Sequence, residues 1–190
     1  MLCAIAKLDD AATDKLNALM NKANAEVGVF RHIYGHITVA TYIGNEDSDF
    51  IAYCKEQMKV VSPFEVLYHK VEVLDRSSIL VATPKKNAAL TYLHNQINER
   101  YSHALDGWTK GDAWYPHTTL LHSPDADLGR ICCMVSQDFI PFPAFIRRIE
   151  FSRVFKNGYE IIDHIDFLVS ERHAPLAHRF TPGAAKSSTV

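Results

Sequence analysis

The chain has 190 residues, 47% hydrophobic and 22% charged, with 20 basic residues against 22 acidic ones for a net charge of −2. That composition suits a globular protein with a sizeable core and excludes collagen-like, disordered and coiled-coil chains. No apolar run of about 18 residues is present, so no membrane partner is expected. A slightly acidic chain is also poorly suited to gripping the many phosphates of a long duplex, which leaves a small nucleotide or a strand end as the nucleic-acid partner. The acidic pair Asp9-Asp10 comes too early for a secretory leader. The four cysteines (Cys3, Cys54, Cys132, Cys133) have no CxxC spacing and read as reduced thiols. A cytoplasmic monomer is the expectation.

In chain order, Leu2–Leu8 is a short apolar run that predicts a strand. Leu16, Leu19, Met20 and Ala23 then recur at helical spacing, with Asp9 or Asp10 available as a cap. A second strand, rich in β-branched and aromatic residues, runs from His36 to Ile43 and stops at Gly44-Asn45. The next helix is expected to bury Phe50, Ile51, Cys54, Met58 and Val61, and Ser62-Pro63 ends it. Phe64–Leu74 follows as a long strand.

The pattern then repeats. Ser78–Ala82 predicts a strand, and Leu90, Leu93, Ile97 and Tyr101 mark a helix. A Gly-bearing loop leads to a strand over Trp114–Leu121. Leu128, Ile131, Cys132, Val135 and Phe139 mark another helix, ended by Pro141-Phe142-Pro143. Phe145–Val154 is a strand, Asn157-Gly158 a hairpin turn, and Tyr159–Leu168 the return. From Glu171 no periodicity remains, so 171–190 reads as a flexible tail.

His36 to Pro63 spans 27 residues and His117 to Pro143 spans 26. Glu72 lies 36 residues after His36, and Glu150 lies 33 after His117. The expected fold is therefore α+β: one bilobal domain over 1–170, duplicated as strand–helix–strand repeats over about 1–75 and 76–170. Pseudo-twofold symmetry would set two antiparallel sheets beside a central cleft, with the helices outside.

His36 with Thr38, and His117 with Thr119, occupy the same place in each repeat. On a strand, residues i and i+2 share a face, so each His projects with its Thr while Ile37, Val39 and Leu120 turn away. Two imidazoles and two hydroxyls around one point suit displacement at phosphorus. One neutral imidazole accepts a proton, a protonated one donates, and the hydroxyls bind the non-bridging oxygens. No metal and no cofactor are needed.

His36-Ile37-Thr38-Val39 and Pro116-His117-Thr118-Thr119-Leu120 resemble the paired signature, histidine two places before serine or threonine and then an apolar residue, of the 2H phosphoesterase superfamily. The resemblance covers roughly residues 1–168. It implies a bilobal fold and metal-independent chemistry on 2′,3′-cyclic or 2′,5′-linked phosphodiesters of nucleotides or RNA ends. His36 and His117 would then be the acid–base pair, and Thr38 and Thr119 the phosphate ligands. One departure is Leu121-His122, where many members carry a basic residue. A non-catalytic nucleotide- or RNA-binding module using the same cleft is the alternative. A metal-dependent hydrolase drawing on the ten histidines is a weaker one. Tyr34 and Tyr115, two residues before each histidine, are candidates for stacking on a base. Lys70, Arg147 and Arg148 are candidates for the cleft wall.

Overall fold

The computed structural model describes residues 1–28, 34–75, 77–155 and 158–168. Asn157 of the expected turn, the 171–190 tail, and His32, His173 and His178 lie outside them. The elements run β1 Leu2–Leu8, α1 Asp10–Ala25, β2 His36–Tyr42, α2 Asp47–Met58, β3 Phe64–Val73, β4 Ile79–Pro84, α3 Ala88–Tyr101, β5 Thr118–His122, α4 Leu128–Ser136, β6 Phe142–Phe155 and β7 Gly158–Asp166. Asp9, Asn87 and Asp127 cap α1, α3 and α4, each accepting a hydrogen bond from the backbone N–H three residues on. This is the α+β architecture the duplication implied.

The strands are all antiparallel and form one hydrogen-bonded sheet in the order β2-β1-β6-β3-β4-β5, with β7 also on β6. The long β6 joins two halves. Its C-terminal stretch lies with β1, β2 and β7, while its N-terminal stretch lies with β3, β4 and β5. Each spatial half thus combines strands of both sequence repeats, because β3 leaves the first repeat to pair with β4 and β6 leaves the second to pair with β1. The helices cross over as well. α1 follows β1 but packs on β5, and α3 follows β4 but packs on β2. The core between sheet and helices includes Ala4, Leu16, Ile37, Val39, Phe50, Leu93, Leu120 and Phe151, all at 1% exposure or less.

Several boundaries differ from the sequence reading, three of them around helix ends and their stop signals. The last helix stops at Ser136, so Phe139 lies beyond it, packed beside Phe142. Val61 is buried but lies past the end of α2 at Met58. Pro143 does not end an element but sits inside β6. Phe145 exchanges backbone-edge hydrogen bonds with Asp9, so its N–H and C=O face the β1 side. Two residues earlier, Pro143 turns its missing N–H to that same side, where pairing with β1 has already ended at Ile146. Nothing is lost from the ladder there.

Candidate active site

β2 and β5 stand at opposite ends of the strand order, yet they meet. The Thr118 hydroxyl donates to the His36 carbonyl at 2.8 Å and accepts from the Tyr68 hydroxyl at 2.6 Å. Tyr68 and Thr118 are both essentially buried, at 0% and 2% exposure. This clamp brings the two histidine motifs together across one cleft. It rests on Thr118, the residue inside the second motif that spacing alone treats as filler.

Along β2, His36 and Thr38 are half-buried on the cleft face while Ile37 and Val39 go into the core. Along β5, Thr119 is exposed to the cleft and Thr118 and Leu120 are buried. Each motif threonine is followed by a β-bulge. Pairing passes from Ala4–Ala40 to Ile5–Thr38, leaving Val39 as the extra residue, and from Leu80–Leu121 to Val81–Thr119, leaving Leu120. A bulge bends its strand and leaves a residue outside the regular ladder, so the extra carbonyls need other donors. Helices supplied by the opposite half provide them. His94 of α3 donates Nδ1–H to Val39 O at 3.0 Å, and Asn24 of α1 donates Nδ2–H to Leu120 O at 3.0 Å. Both side chains are buried. His94 stacks on Trp114 at 4.2 Å, and Trp114 in turn donates to Thr38 O at 2.9 Å. His94 and Trp114 therefore brace the first motif.

The strands begin at His36, as the sequence implies, and at Thr118, four residues later than the expected start at Trp114, so neither tyrosine lies on a strand with its histidine. Gly35 precedes the first histidine because a Cβ there would come within 2.8 Å of the Leu16 side chain. Pro116 precedes the second and cannot donate to a ladder. Each histidine is instead tied to its tyrosine's backbone. His36 Nδ1 lies 2.9 Å from Tyr34 O, and His117 Nδ1 lies 2.7 Å from Tyr115 O. A carbonyl only accepts, so Nδ1 carries the proton in both rings and Nε2 is left for chemistry.

The tyrosine hydroxyls reach carboxylates on the sheet floor. Tyr34 donates to Glu150, and Tyr115 donates to Glu72 at 2.7 Å. The Tyr34 ring packs edge-on against His36 and Tyr159, with Lys7 over it. The Tyr115 ring is 37% exposed. Lys70 bonds Glu72 at 2.7 Å, and Arg148 bonds Asp166, whereas Arg147 is exposed over Phe145. Tyr34, His36, Thr119 and the exposed His122 line, with Met20 and Asn24, a cavity of about 180 Å³.

Burial lowers the affinity of both motif histidines for a proton. For His36, the bond to the Tyr34 carbonyl opposes this, the nearby charge of His117 adds to it, and Glu150 opposes it. For His117, the Tyr115 carbonyl and Glu72 oppose it. Both tyrosines are pushed up, by burial first and by their carboxylate partners next. Among the described residues, no group of three or more His, Cys, Asp or Glu side chains could hold a metal ion, and no helix is long and apolar enough to cross a membrane.

The profile of the 2′-5′ RNA ligase superfamily matches residues 8–154. Several solved structures share the fold. One, described as a phosphoesterase, aligns with a TM-score of 0.60 at 11% identity over 87% of this chain and 97% of its own. Escherichia coli LigT in complex with 3′-AMP aligns at 0.58 and 11% identity, over 87% of this chain and 96% of its own. The Thermus thermophilus protein TT0787 aligns at 0.62 and 13%, over the same shares. No curated protein matches the chain in sequence.

Proposed function

The chain belongs to the 2′-5′ RNA ligase superfamily, and we propose that it is a metal-independent phosphoesterase acting on 2′,3′-cyclic or 2′,5′-linked phosphodiesters of small nucleotides or RNA ends. The observation that carries this reading is the matched wiring of the two imidazoles, each with Nδ1 tied to a carbonyl and Nε2 free for proton transfer. In hydrolysis of a 2′,3′-cyclic phosphate, a water oxygen bonds to phosphorus as one neutral Nε2 takes its proton. The bond from phosphorus to the departing ribose oxygen breaks as the other imidazole, protonated, gives its Nε2 proton to that oxygen. The Thr38 and Thr119 hydroxyls donate to the non-bridging oxygens as negative charge builds there. Proton exchange with solvent then resets the pair. LigT has been crystallised with 3′-AMP, with ATP and with NADP+, which supports a small-nucleotide substrate here. The open Tyr115 ring is the better placed of the two tyrosines to stack on its base.

The test is a screen of 2′,3′-cyclic and 2′,5′-linked nucleotides in the presence of EDTA, with His36→Ala and His117→Ala as controls. Turnover is expected in EDTA for the native protein and is expected to fall sharply in either variant. Nucleotide binding without turnover of any substrate would overturn the enzyme and leave a binding module.

A further inference from the structure

Glu72 and Glu150 appear in the sequence as matched landmarks, and the chemistry above uses neither. Strand register gives them a common position. In one half, Thr38, Ile5 and Glu150 form a row across β2, β1 and β6. In the other, Thr119, Val81 and Glu72 form the same row across β5, β4 and β3. Each carboxylate thus sits two strands, or about 10 Å, from its motif threonine on the cleft face. Each has polar neighbours on its own face of the sheet: Glu72 accepts from Lys70 Nζ at 2.7 Å and from Thr83 Oγ1 at 2.8 Å, and Glu150 has Lys7 Nζ at 3.7 Å and Arg148 Nη1 at 3.9 Å. Each then receives the hydroxyl of the tyrosine whose carbonyl holds the motif histidine.

Those carbonyls need fixing. Tyr34 and Tyr115 lie outside the strands, so no ladder sets the direction of their C=O groups. An imidazole whose Nδ1 partner swings away can rotate or shift its proton to Nε2, and a ring in that tautomer cannot take a proton from water at Nε2. Partial burial works against the charge of Glu72, but bonds from Lys70, Tyr115 and Thr83 hold its carboxyl below the ordinary range, so it stays an acceptor.

We infer that Glu72 and Glu150 are a matched pair of positioning residues that, through the phenols of Tyr115 and Tyr34, fix the ring orientation and tautomer of His117 and His36. The effect on rate rests on the phosphoesterase reading; the effect on tautomer does not. The charges acting on the rings are Glu72 for His117, and Glu150 and His117 itself for His36; Lys70 pairs with Glu72, and Lys7 and Arg148 lie beside Glu150.

The experiment uses Glu72→Gln and Tyr115→Phe in the full chain, both close in shape to the originals, and reads imidazole ring-nitrogen NMR shifts together with kcat and KM for a 2′,3′-cyclic nucleotide. His117 is expected to move from the pure Nδ1–H form toward a tautomer mixture while His36 keeps its form. kcat is expected to fall ~10-fold with KM within about twofold, in line with the loss of a group that orients a reacting one. The double variant should be no worse than the poorer single, and Glu72→Gln should add nothing in a His117→Ala background. Glu150→Gln should act in the same way on His36. An unchanged His117 tautomer in both variants would overturn the inference. So would a Glu72→Gln loss that persists undiminished in the His117→Ala background, which marks a merely structural role. A native protein inactive on every substrate would sink the proposed function, yet the NMR comparison would still decide this inference.

Discussion

Around His36 the supporting carboxylate is Glu150, whose side chain is only 7% exposed, with a half-buried tyrosine above it and a half-buried Thr38 beside it. Around His117 the counterpart Glu72 keeps 29% of its side chain in solvent, with Tyr115 and Thr119 exposed. The path from carboxylate to tyrosine hydroxyl, and from that tyrosine's carbonyl to the histidine, is the same in both halves; the access to water is not. A duplicated scaffold can therefore keep its wiring while solvation separates the two copies. In the dry half, polar groups have no water to fall back on and must carry stability as well as geometry. In the wet half, water can replace a lost partner, so the same bonds weigh less on folding.

The sharpest way to break this comparison is to delete the two carboxylates and measure chemical denaturation. Glu150→Ala leaves the half-buried Tyr34 hydroxyl without its acceptor, while Lys7 reaches solvent and Arg148 keeps Asp166, and should cost about 1–3 kcal/mol. Glu72→Ala should cost less, about 1 kcal/mol, because Lys70 and Tyr115 reach solvent and the buried Thr83 hydroxyl alone loses its acceptor. Equal losses would show that exposure does not separate the halves.

The bulge supports come next. His94→Ala removes both the cap on Val39 O and the ring stacked on Trp114, and should cost about 2–4 kcal/mol. Asn24→Ala removes the cap on Leu120 O and should cost about 1–3 kcal/mol. Asn24→Leu, which fills the space without a donor, should not restore the loss. Recovery by leucine would mean that packing, not the carbonyl, is what Asn24 serves.

The smallest effect is on pH dependence. Burial lowers the proton affinity of His36, His94 and His117, so the unfolded chain binds protons more readily than the folded one. Their contribution is fully present above the ordinary histidine pKa of about 6.5 and is lost as pH falls through their lower folded values. Urea midpoints at about pH 7.5 and 5.5 should show this acid loss, and a His36→Gln/His117→Gln double variant should blunt it. An undiminished loss in that variant would place its source elsewhere.

Much of the fold is legible in the chain because α1 and α3 show clean helical periods, and because His36/Glu72 and His117/Glu150 keep near-equal spacings in two repeats. Periodicity cannot reveal where a helix docks, so the crossing of α1 to β5 and α3 to β2 stays hidden. With it stay the roles of Asn24 and His94, which belong to the opposite half. A bulge adds one residue to a ladder and leaves no mark in composition, so Val39 and Leu120 read as ordinary core. Starting the second motif's strand at Trp114 overlooks Pro116 as an interruption, as Gly35 is one before His36. Once these are weighed, the carbonyl contacts to Nδ1 become natural, and the glutamates become the partners of the phenols. Pro143 misleads for the converse reason: a proline is a stop signal only where its absent N–H is needed.

The central claim is that His36 and His117 act together on one phosphodiester. It is tested most directly by kcat/KM for 2′,3′-cyclic nucleotide hydrolysis in His36→Ala, His117→Ala and the double variant. Each single change should cost on the order of 10²–10⁴-fold, and the double should lose far less than the product of the two, as expected of groups serving one transition state. Either single variant retaining native activity, or losses that multiply in full, would contradict it.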